Sequence, residues 1–242
     1  MINLALVGYG KMGKMIESIA PKDKFNITGV FDVINPVTEH LKEKTDVAIE
    51  FSTPASVIEN IEFLSSRGID IVCGTTGWYN KADVVNKIIK KNGTGFIYAS
   101  NFSVGVNIFF QIVKHASSLI DKYGQYDISV SETHHTQKLD KPSGTAIRIA
   151  EYIIDNMKRK GSFVNDSESP LEDEINILSK RIDGAVGRHE IEFSSESDTI
   201  SLVHNAKSRQ GFAEGALLAA KYIHGKKGFF KFEDIFNNLS KK

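Results

Sequence analysis

The sequence predicts an α/β fold, a doubly wound parallel sheet joined to a smaller α+β domain. Three observations carry this prediction. Five short apolar runs, of the kind found in strands buried on both faces, alternate with helical patterns through the first part of the chain. Each run stops at a glycine or polar turn, as strands of open parallel sheets do at their ligand-binding edge. From about Val106 onward the pattern changes to period-two alternation mixed with long helical faces.

The elements follow in order. Ile2 to Val7 is an apolar run that stops at Gly8, and G-Y-G-K-M-G then leads into the helical stretch KMIESIA. The second run, Ile27 to Phe31, ends at Asp32, 19 positions after Gly13. The third, Asp46 to Phe51, is followed by S-T-P, where Thr53 is placed to cap and Pro54 to open a helix. That helix, VIENIEFLSSRG, is expected to end at Gly68. The fourth run, Asp70 to Cys73, enters G-T-T-G-W, and the fifth, Gly95 to Ala99, enters S-N-F-S.

Val106, Phe109, Phe110, Val113, Ser117 and Ile120 then trace one helical face. Tyr126 to Glu132 alternates as a half-buried strand, and a helix is expected from Thr145 to Lys160 with Gly161 as its cap. Arg188 to Phe193 and Thr199 to His204 flank S-E-S-D as an antiparallel hairpin. A last helix, about Phe212 to His224, ends at Gly225 and is expected to pack back on the first domain.

Lysine plus arginine and aspartate plus glutamate each number 30 in 242 residues, so the formal net charge is zero. That balance excludes the strong overall field of a dedicated nucleic-acid or anionic-membrane binder. With 41% hydrophobic and 25% charged residues the composition is that of a folded globular protein. The single cysteine, Cys73, has no internal partner, no run approaches the roughly 18 apolar residues of a membrane span, and the opening MINLALVGYG is not expected to act as a secretory leader. The expected location is cytoplasmic. The neutral total is a cancellation: the stretch 162–174 holds Asp166, Glu168, Glu172, Asp173 and Glu174 without a lysine or arginine. It reads as a solvated loop, which leaves Lys138, Lys141, Lys207 and Arg209 to concentrate positive charge where an anionic substrate would enter.

Gly8, Gly10 and Gly13 form G-x-G-x-x-G between the first strand and first helix. The first glycine permits the tight turn, the second lets the backbone approach a pyrophosphate, and the third lets helix and strand pack closely. The helix N-terminus adds free N–H groups and partial positive charge. Asp32, at the end of the second strand, is placed to accept from both ribose hydroxyls and to repel a 2′-phosphate. Together these features predict a Rossmann-like dinucleotide site that favours NADH; Lys11 in the turn leaves NADPH possible. The turns at Gly74, Thr75 and Thr76 and at Ala99, Ser100, Asn101 and Phe102 lie at the same edge, where they would hold the nicotinamide half.

Residues 133–146 read T-H-H-T-Q-K-L-D-K-P-S-G-T-A. His134 and His135 are adjacent, so they face one ligand only if the strand breaks there. They lack the spacing of helical zinc ligands, with no nearby carboxylate or cysteine to complete a set, and no metal is expected. A histidine here would deliver a proton near neutral pH, which hydride transfer to a C=N or conjugated C=C bond requires. Gly144 opens a helix whose N–H groups suit a carboxylate, and a lysine beside it would hold a second anionic group.

E-T-H-H-T-Q-K-L-D-K-P-S-G-T-A at 132–146 closely resembles the E-x-H-H-x-x-K-x-D-A-P-S-G-T-A pattern of the dihydrodipicolinate reductase family of lysine and diaminopimelate synthesis. G-Y-G-K-M-G, C-G-T-T-G, S-N-F-S-V-G-V-N and F-A-E-G-A extend the resemblance over nearly the whole chain. It implies His134 as proton donor, His135 as a substrate contact, Lys138 as a second catalytic residue, and Gly144 and Thr145 as carboxylate-binding residues. It also implies cofactor contacts from Gly8, Tyr9, Gly10, Lys11 and Met12, from Asp32, and from the two later turns. The implied organisation is a dinucleotide-binding domain of residues 1–104 completed by 210–242. By the same resemblance, residues 105–209 would form a substrate-binding and oligomerisation domain that builds a homotetramer. Lys141 stands where the family has alanine. In R-I-D-G-A-V-G-R-H, residues 181–189, Asp183 replaces a glycine of the family's R-x-G-x-x-x-G-x-H, which puts the local turn in question. Two other readings stay open, a related imine or carbonyl reductase and a non-enzymatic cofactor sensor.

Overall fold

The computed structural model describes residues 1–237. The chain divides into two compact units, residues 1–104 together with 210 onward, and residues 105–209.

The first unit opens with β1 (Ile2–Val7), α1 (Lys11–Ile19), β2 (Phe25–Phe31), the single turn α2 (Val37–His40) and β3 (Val47–Glu50). It continues with α3 (Val57–Ser66), β4 (Asp70–Cys73), α4 (Ala82–Asn92) and β5 (Gly95–Tyr98). The second unit contains α5 (Val104–Ile120, its first residue still in the first unit), β6 (Asp127–His134), α6 (Gly144–Asn156), β7 (Ser162–Asn165), β8 (Glu174–Arg181), β9 (Arg188–Ser194) and β10 (Thr199–Asn205). The chain then returns to the first unit through α7 (Gln210–Ile223), β11 (Gly228–Lys231) and α8 (Glu233–Asn237).

Six parallel strands in the order β11-β5-β4-β3-β1-β2 form the first sheet. Its strands are continuous apolar runs because both faces are covered. Leu4 and Leu6 join a core with Ile16, Ala216, Ala220 and Ile223, while Ala5 and Val7 face the opposite core with Val57, Ile61, Val85 and Ile89. α7 is therefore part of the first unit's core, as its small-residue face suggests. β11 had no clear signature, being only G-F-F-K between lysines and a sheet edge.

Thr53 and Pro54 do not open α3. The Thr53 carbonyl accepts from the N–H groups of Ser56 and Val57 in a preceding turn, and the helix starts at Val57. Ser56 does not cap it, because its hydroxyl is engaged with those of Ser52 and Thr53 at 3.0 Å each. Gly68 takes the left-handed conformation after α3 as expected.

The second sheet has the order β10-β9-β6-β8-β7, with β6 antiparallel to β9 and parallel to β8. β9 and β10 form the expected antiparallel hairpin. Val106, Phe110 and Val113 of α5 and Ile149 and Ile153 of α6 cover one face, packing on Ile128, Val130, Ile177, Ile191 and Phe193. Two expectations are corrected. The acidic stretch is not all loop, since Ser162–Asn165 is a strand. α6 ends at Asn156 rather than Lys160, and Gly161 leads into β7 instead of capping. The physical reason is Lys160. Its buried amine donates to the carbonyls of Glu172 and Glu174 and pairs with Asp127 at 2.8 Å, an arrangement that requires the chain to leave the helix. No helix among the described residues is long and apolar enough to cross a membrane.

Candidate active site

The C-terminal edge of the parallel sheet gathers every residue assigned above to the cofactor. Gly8 has φ +90°, and a Cβ there would lie 2.1 Å from the Phe51 carbonyl oxygen, so no other residue fits between β1 and β3. A Cβ on Gly13 would lie 2.5 Å from the Gly8 carbonyl oxygen, which is the close packing of turn against helix. Gly10, by contrast, faces open space, and α1 begins after it without a side-chain cap. An open, uncapped helix N-terminus beside a glycine turn fits a pyrophosphate. Tyr9 lies in the turn, where its hydroxyl donates to Glu17. Asp32 follows β2 with one carboxylate oxygen accepting from Ile34 and Asn35 N–H at 2.9 Å, and the next two side chains, Val33 and Ile34, are exposed.

Gly74 passes the Phe51 ring so closely that a Cβ would lie 2.2 Å from it. In the same turn the Thr75 carbonyl accepts from Trp78, while its buried hydroxyl has no partner among the described residues, and Thr76 is exposed. Asn101 accepts from Ser103 N–H, and Phe102 packs between Phe51 and Phe232. One feature of this edge escaped sequence reasoning. Glu50, fully buried at the end of β3, accepts from Ser52, from Asn60 at 3.4 Å and from Cys73 at 3.5 Å, tying the ends of β3, α3 and β4 together. Its signal was an acid ending an apolar strand. Burial pushes the Cys73 thiol up, so it is a packed thiol and no nucleophile.

In the second unit, period two puts Ile128, Val130, Glu132 and His134 on one face of β6, so the hydrophobic core ends in a polar rung. His189 on β9 lies in register with Glu132. His134 Nε2 is 3.3 Å from His189 Nε2 and 3.4 Å from Glu132 Oε2, and Ser143 Oγ is 3.4 Å from His189 Nε2. The other oxygen of Glu132 accepts from Ser143 N–H at 3.0 Å and from Arg181 Nη2 at 3.2 Å. Burial raises the Glu132 carboxyl, but hydrogen bonds from His134, Ser143 and Ser179 outweigh it and hold the group well below the usual carboxylate range.

Glu132, His134 and His189 offer ligand atoms within 4.8 Å of one another. The carboxylate that sequence spacing failed to find is therefore present. The Arg181 guanidinium engages Oε1 of Glu132, while Oε2 faces the two histidines.

β6 ends at His134, and His135 turns away to line an open pocket of about 350 Å³ with Gln137, Asp183, Val186 and Arg209. Lys138 pairs with Asp140 at 2.7 Å, and Lys141 pairs with Asp166 at 2.7 Å, so neither lysine presents bare charge as the sequence suggested. Arg181 reaches the carbonyls of Lys138 and Asp140 and holds this loop from below. Ser143 caps α6 by accepting from Ala146 N–H at 3.2 Å, which places Gly144 and Thr145 in its first turn. The turn questioned at Asp183 is intact, since Gly184 takes the left-handed conformation, at φ +76°.

His189, Arg181 and Glu132 were absent from the site assigned by sequence, although all three stand in the quoted patterns. Burial, with His134 beside it, pushes the His189 ring down to about 3. The unfolded chain takes up this proton below the ordinary value of 6.5 and the folded chain does not, so acidification favours unfolding. Glu132 acts in the same direction at lower pH, because its folded carboxyl resists protonation. The apparent Tm is expected to fall from about pH 6.5 to about pH 4, with His189→Gln flattening the upper part of that fall. A pH profile of Tm indifferent to the substitution contradicts this.

Residues 2–102 match the family model described as "Dihydrodipicolinate reductase, N-terminus", and residues 105–236 match "Dihydrodipicolinate reductase, C-terminus". The chain belongs to the dihydrodipicolinate reductase family. Similar members include the 4-hydroxy-tetrahydrodipicolinate reductase of Christiangramia forsetii, 41% identical over 99% of this chain and 100% of that protein. The enzyme of the same name from Methanococcoides burtonii is 34% identical over 98% of this chain and 100% of that one. Among solved structures, the dipicolinate-bound dihydrodipicolinate reductase of Paenisporosarcina sp. TG-14 superposes with a TM-score of 0.79 at 25% identity, covering 97% of this chain and 99% of that one. The fold is not confined to this family. An amine dehydrogenase from Mycobacterium smegmatis superposes with a TM-score of 0.62 at 8% identity, over 96% of this chain and 95% of that one.

Proposed function

We propose that the protein is an NADH-preferring 4-hydroxy-tetrahydrodipicolinate reductase of lysine and diaminopimelate biosynthesis. It reduces the dehydrated form of that substrate to tetrahydrodipicolinate. The observation that carries the reading is the intact 132–146 segment, with His134 seated on Glu132 and Ser143 opening α6. Residues 1–104 with 210–242 serve as the dinucleotide-binding domain and 105–209 as the substrate-binding and oligomerisation domain.

Bound reduced nicotinamide supplies the hydride. Gly8, Tyr9, Gly10, Lys11 and Met12 hold the pyrophosphate through backbone N–H groups, and Asp32 accepts from the ribose hydroxyls. Thr75, whose buried hydroxyl lacks a partner among the described residues, orients the nicotinamide half with Gly74, Thr76 and Ala99, Ser100, Asn101 and Phe102. Gly144 and Thr145 hold a substrate carboxylate at the α6 N-terminus, and His135 contacts the substrate from the neighbouring pocket. Lys138 steadies a substrate anion, for which Asp140 competes in the free protein. His134 gives the proton.

The test is oxidation of NADH and NADPH by the purified protein with freshly generated 4-hydroxy-tetrahydrodipicolinate, beside other cyclic imines. The expected result is turnover of this substrate with a lower KM for NADH, because the Asp32 carboxylate repels a 2′-phosphate and exposed Val33 supplies no cation in its place. A clear NADPH preference overturns the cofactor assignment, and turnover confined to another imine overturns the substrate. The proposal extends to a cytoplasmic homotetramer, for which the uncovered face of the second sheet, with exposed Leu178 and Val203, is the available surface; light scattering reads its mass.

A further inference from the structure

Three polar atoms meet at the buried end of the second unit's core: Glu132 Oε2, His134 Nε2 and His189 Nε2, at separations of 3.3 to 3.9 Å. An ionised carboxylate only accepts hydrogen bonds, so a lone pair on both facing nitrogens would leave three acceptors pressed together away from water. A proton belongs on one of the two Nε2 atoms. His134 is the closer to Glu132, at 3.4 Å against 3.9 Å for His189. His189 Nε2 lies 3.4 Å from the Ser143 hydroxyl, which accepts from Ala146 N–H and can donate either to this ring or to Glu132. The arrangement that gives the carboxylate its nearer donor puts N–H on Nε2 of His134, towards Glu132, with Nε2 of His189 as an acceptor and the buried Nδ1 of His189 carrying its proton without a partner among the described residues. The Cε1 side of the His134 ring faces Gly187, with Nδ1 the nearer of its two nitrogens. A Cβ at 187 would lie 3.1 Å from His134 Cε1 and 3.4 Å from Nδ1, so glycine is the residue that leaves this edge uncovered.

We propose that Glu132 and His189 are positioning residues that hold the Nε2 edge of His134 inward, so that the proton His134 gives to the substrate leaves from Nδ1. In that step the Nδ1–H bond of the imidazolium breaks and its electron pair stays on the ring. The proton bonds to the substrate, and the ring is left neutral with its Nε2–H still on Glu132. The identity of the nitrogen carrying the proton is set by the hydrogen bond made at the other. This also gives the G-x-H of residues 187–189 a single purpose, with glycine opening one edge of His134 and histidine holding the other. The inference rests on His134 as the proton donor.

The experiment is ¹⁵N NMR of histidine-labelled full-length protein, together with steady-state kinetics of His189→Leu and His189→Gln. In the wild-type protein the neutral His134 ring is expected to carry its proton on Nε2. His189→Leu is expected to lower kcat about 10-fold, part of the 10²-fold or more that a general acid supplies, with both KM values within about twofold. His189→Gln, whose amide can accept from His134 or Ser143, is expected to restore most of kcat and the wild-type tautomer. A wild-type His134 protonated on Nδ1, or a folded His189→Leu variant with unchanged kcat, overturns the proposal. If the leucine variant does not fold, the wild-type tautomer and the glutamine variant decide. If His134→Ala retains turnover the donor assignment fails instead, a result separate from the tautomer.

Discussion

His134→Ala and Lys138→Ala are each expected to lower kcat by about 10²-fold or more, the usual cost of losing a general acid or an electrostatic partner of a developing charge. Neither loss is expected to be structural. With His134 shortened, Glu132 keeps its bonds from Ser143 N–H and Arg181, so the buried carboxylate is not stranded. With Lys138 shortened, Arg181 still holds the Lys138 and Asp140 carbonyls, so the loop keeps its path. The Lys138–Asp140 pair is half exposed on the carboxylate side and contributes little to stability. Both variants should therefore melt close to the wild-type protein. The residue roles are refuted by a well-folded variant of either position with turnover within a few-fold of wild type.

Gly215→Ala is expected to be strongly destabilising although it adds a single methyl group within a helix. Gly215 lies in α7 where the helix crosses the loop after β5, and a Cβ there would sit 1.7 Å from the Phe102 carbonyl oxygen. Phe102 cannot give way freely, since its ring is fully buried and packs on Phe232 at 4.8 Å between ring centroids. Overpacking against fixed backbone costs about 3 kcal/mol or more. For a chain of this length that corresponds to a fall in apparent Tm of roughly 6–12 °C. Displacing Phe102 also displaces the turn assigned to the nicotinamide, so the KM for NADH should rise. Gly211→Ala, in the first turn of the same helix, meets only Ser103 Oγ at 3.6 Å and is the control, expected to leave Tm unchanged or slightly higher. Equal melting of the two variants would show that the close approach at Gly215 has no energetic consequence.

Much of this site was legible because its signals are local. Gly8 and Gly13 are demanded by contacts within a few residues or between adjacent strands, and such demands leave glycine in the sequence. The start of α6 within a residue of Thr145 was similarly local, whereas β6 runs past its expected end at Glu132 to His134. What stayed hidden was set by residues far apart in the chain. His189 lies 55 positions from His134 and reaches it only because β9 pairs antiparallel with β6 in one register. A one-residue slip of that pairing would put His189 on the other face of the sheet. The early end of α6 had the same origin, since Lys160 is buried by carbonyls of residues 172 and 174 that no helical window contains.

The sequence by itself determined the α/β class, the glycine turn with its acid at Asp32, and the histidine, lysine and serine-glycine-threonine segment. Periodicity, turn chemistry and capping act within about a dozen residues, and that is the range over which sequence pattern is informative. Only the tertiary structure decided that β11 extends the first sheet, that Lys138 and Lys141 are paired with Asp140 and Asp166, and that His134 is seated on Glu132 and His189. Those outcomes depend on strand register and on which polar groups lose water together, and both are properties of the packed chain.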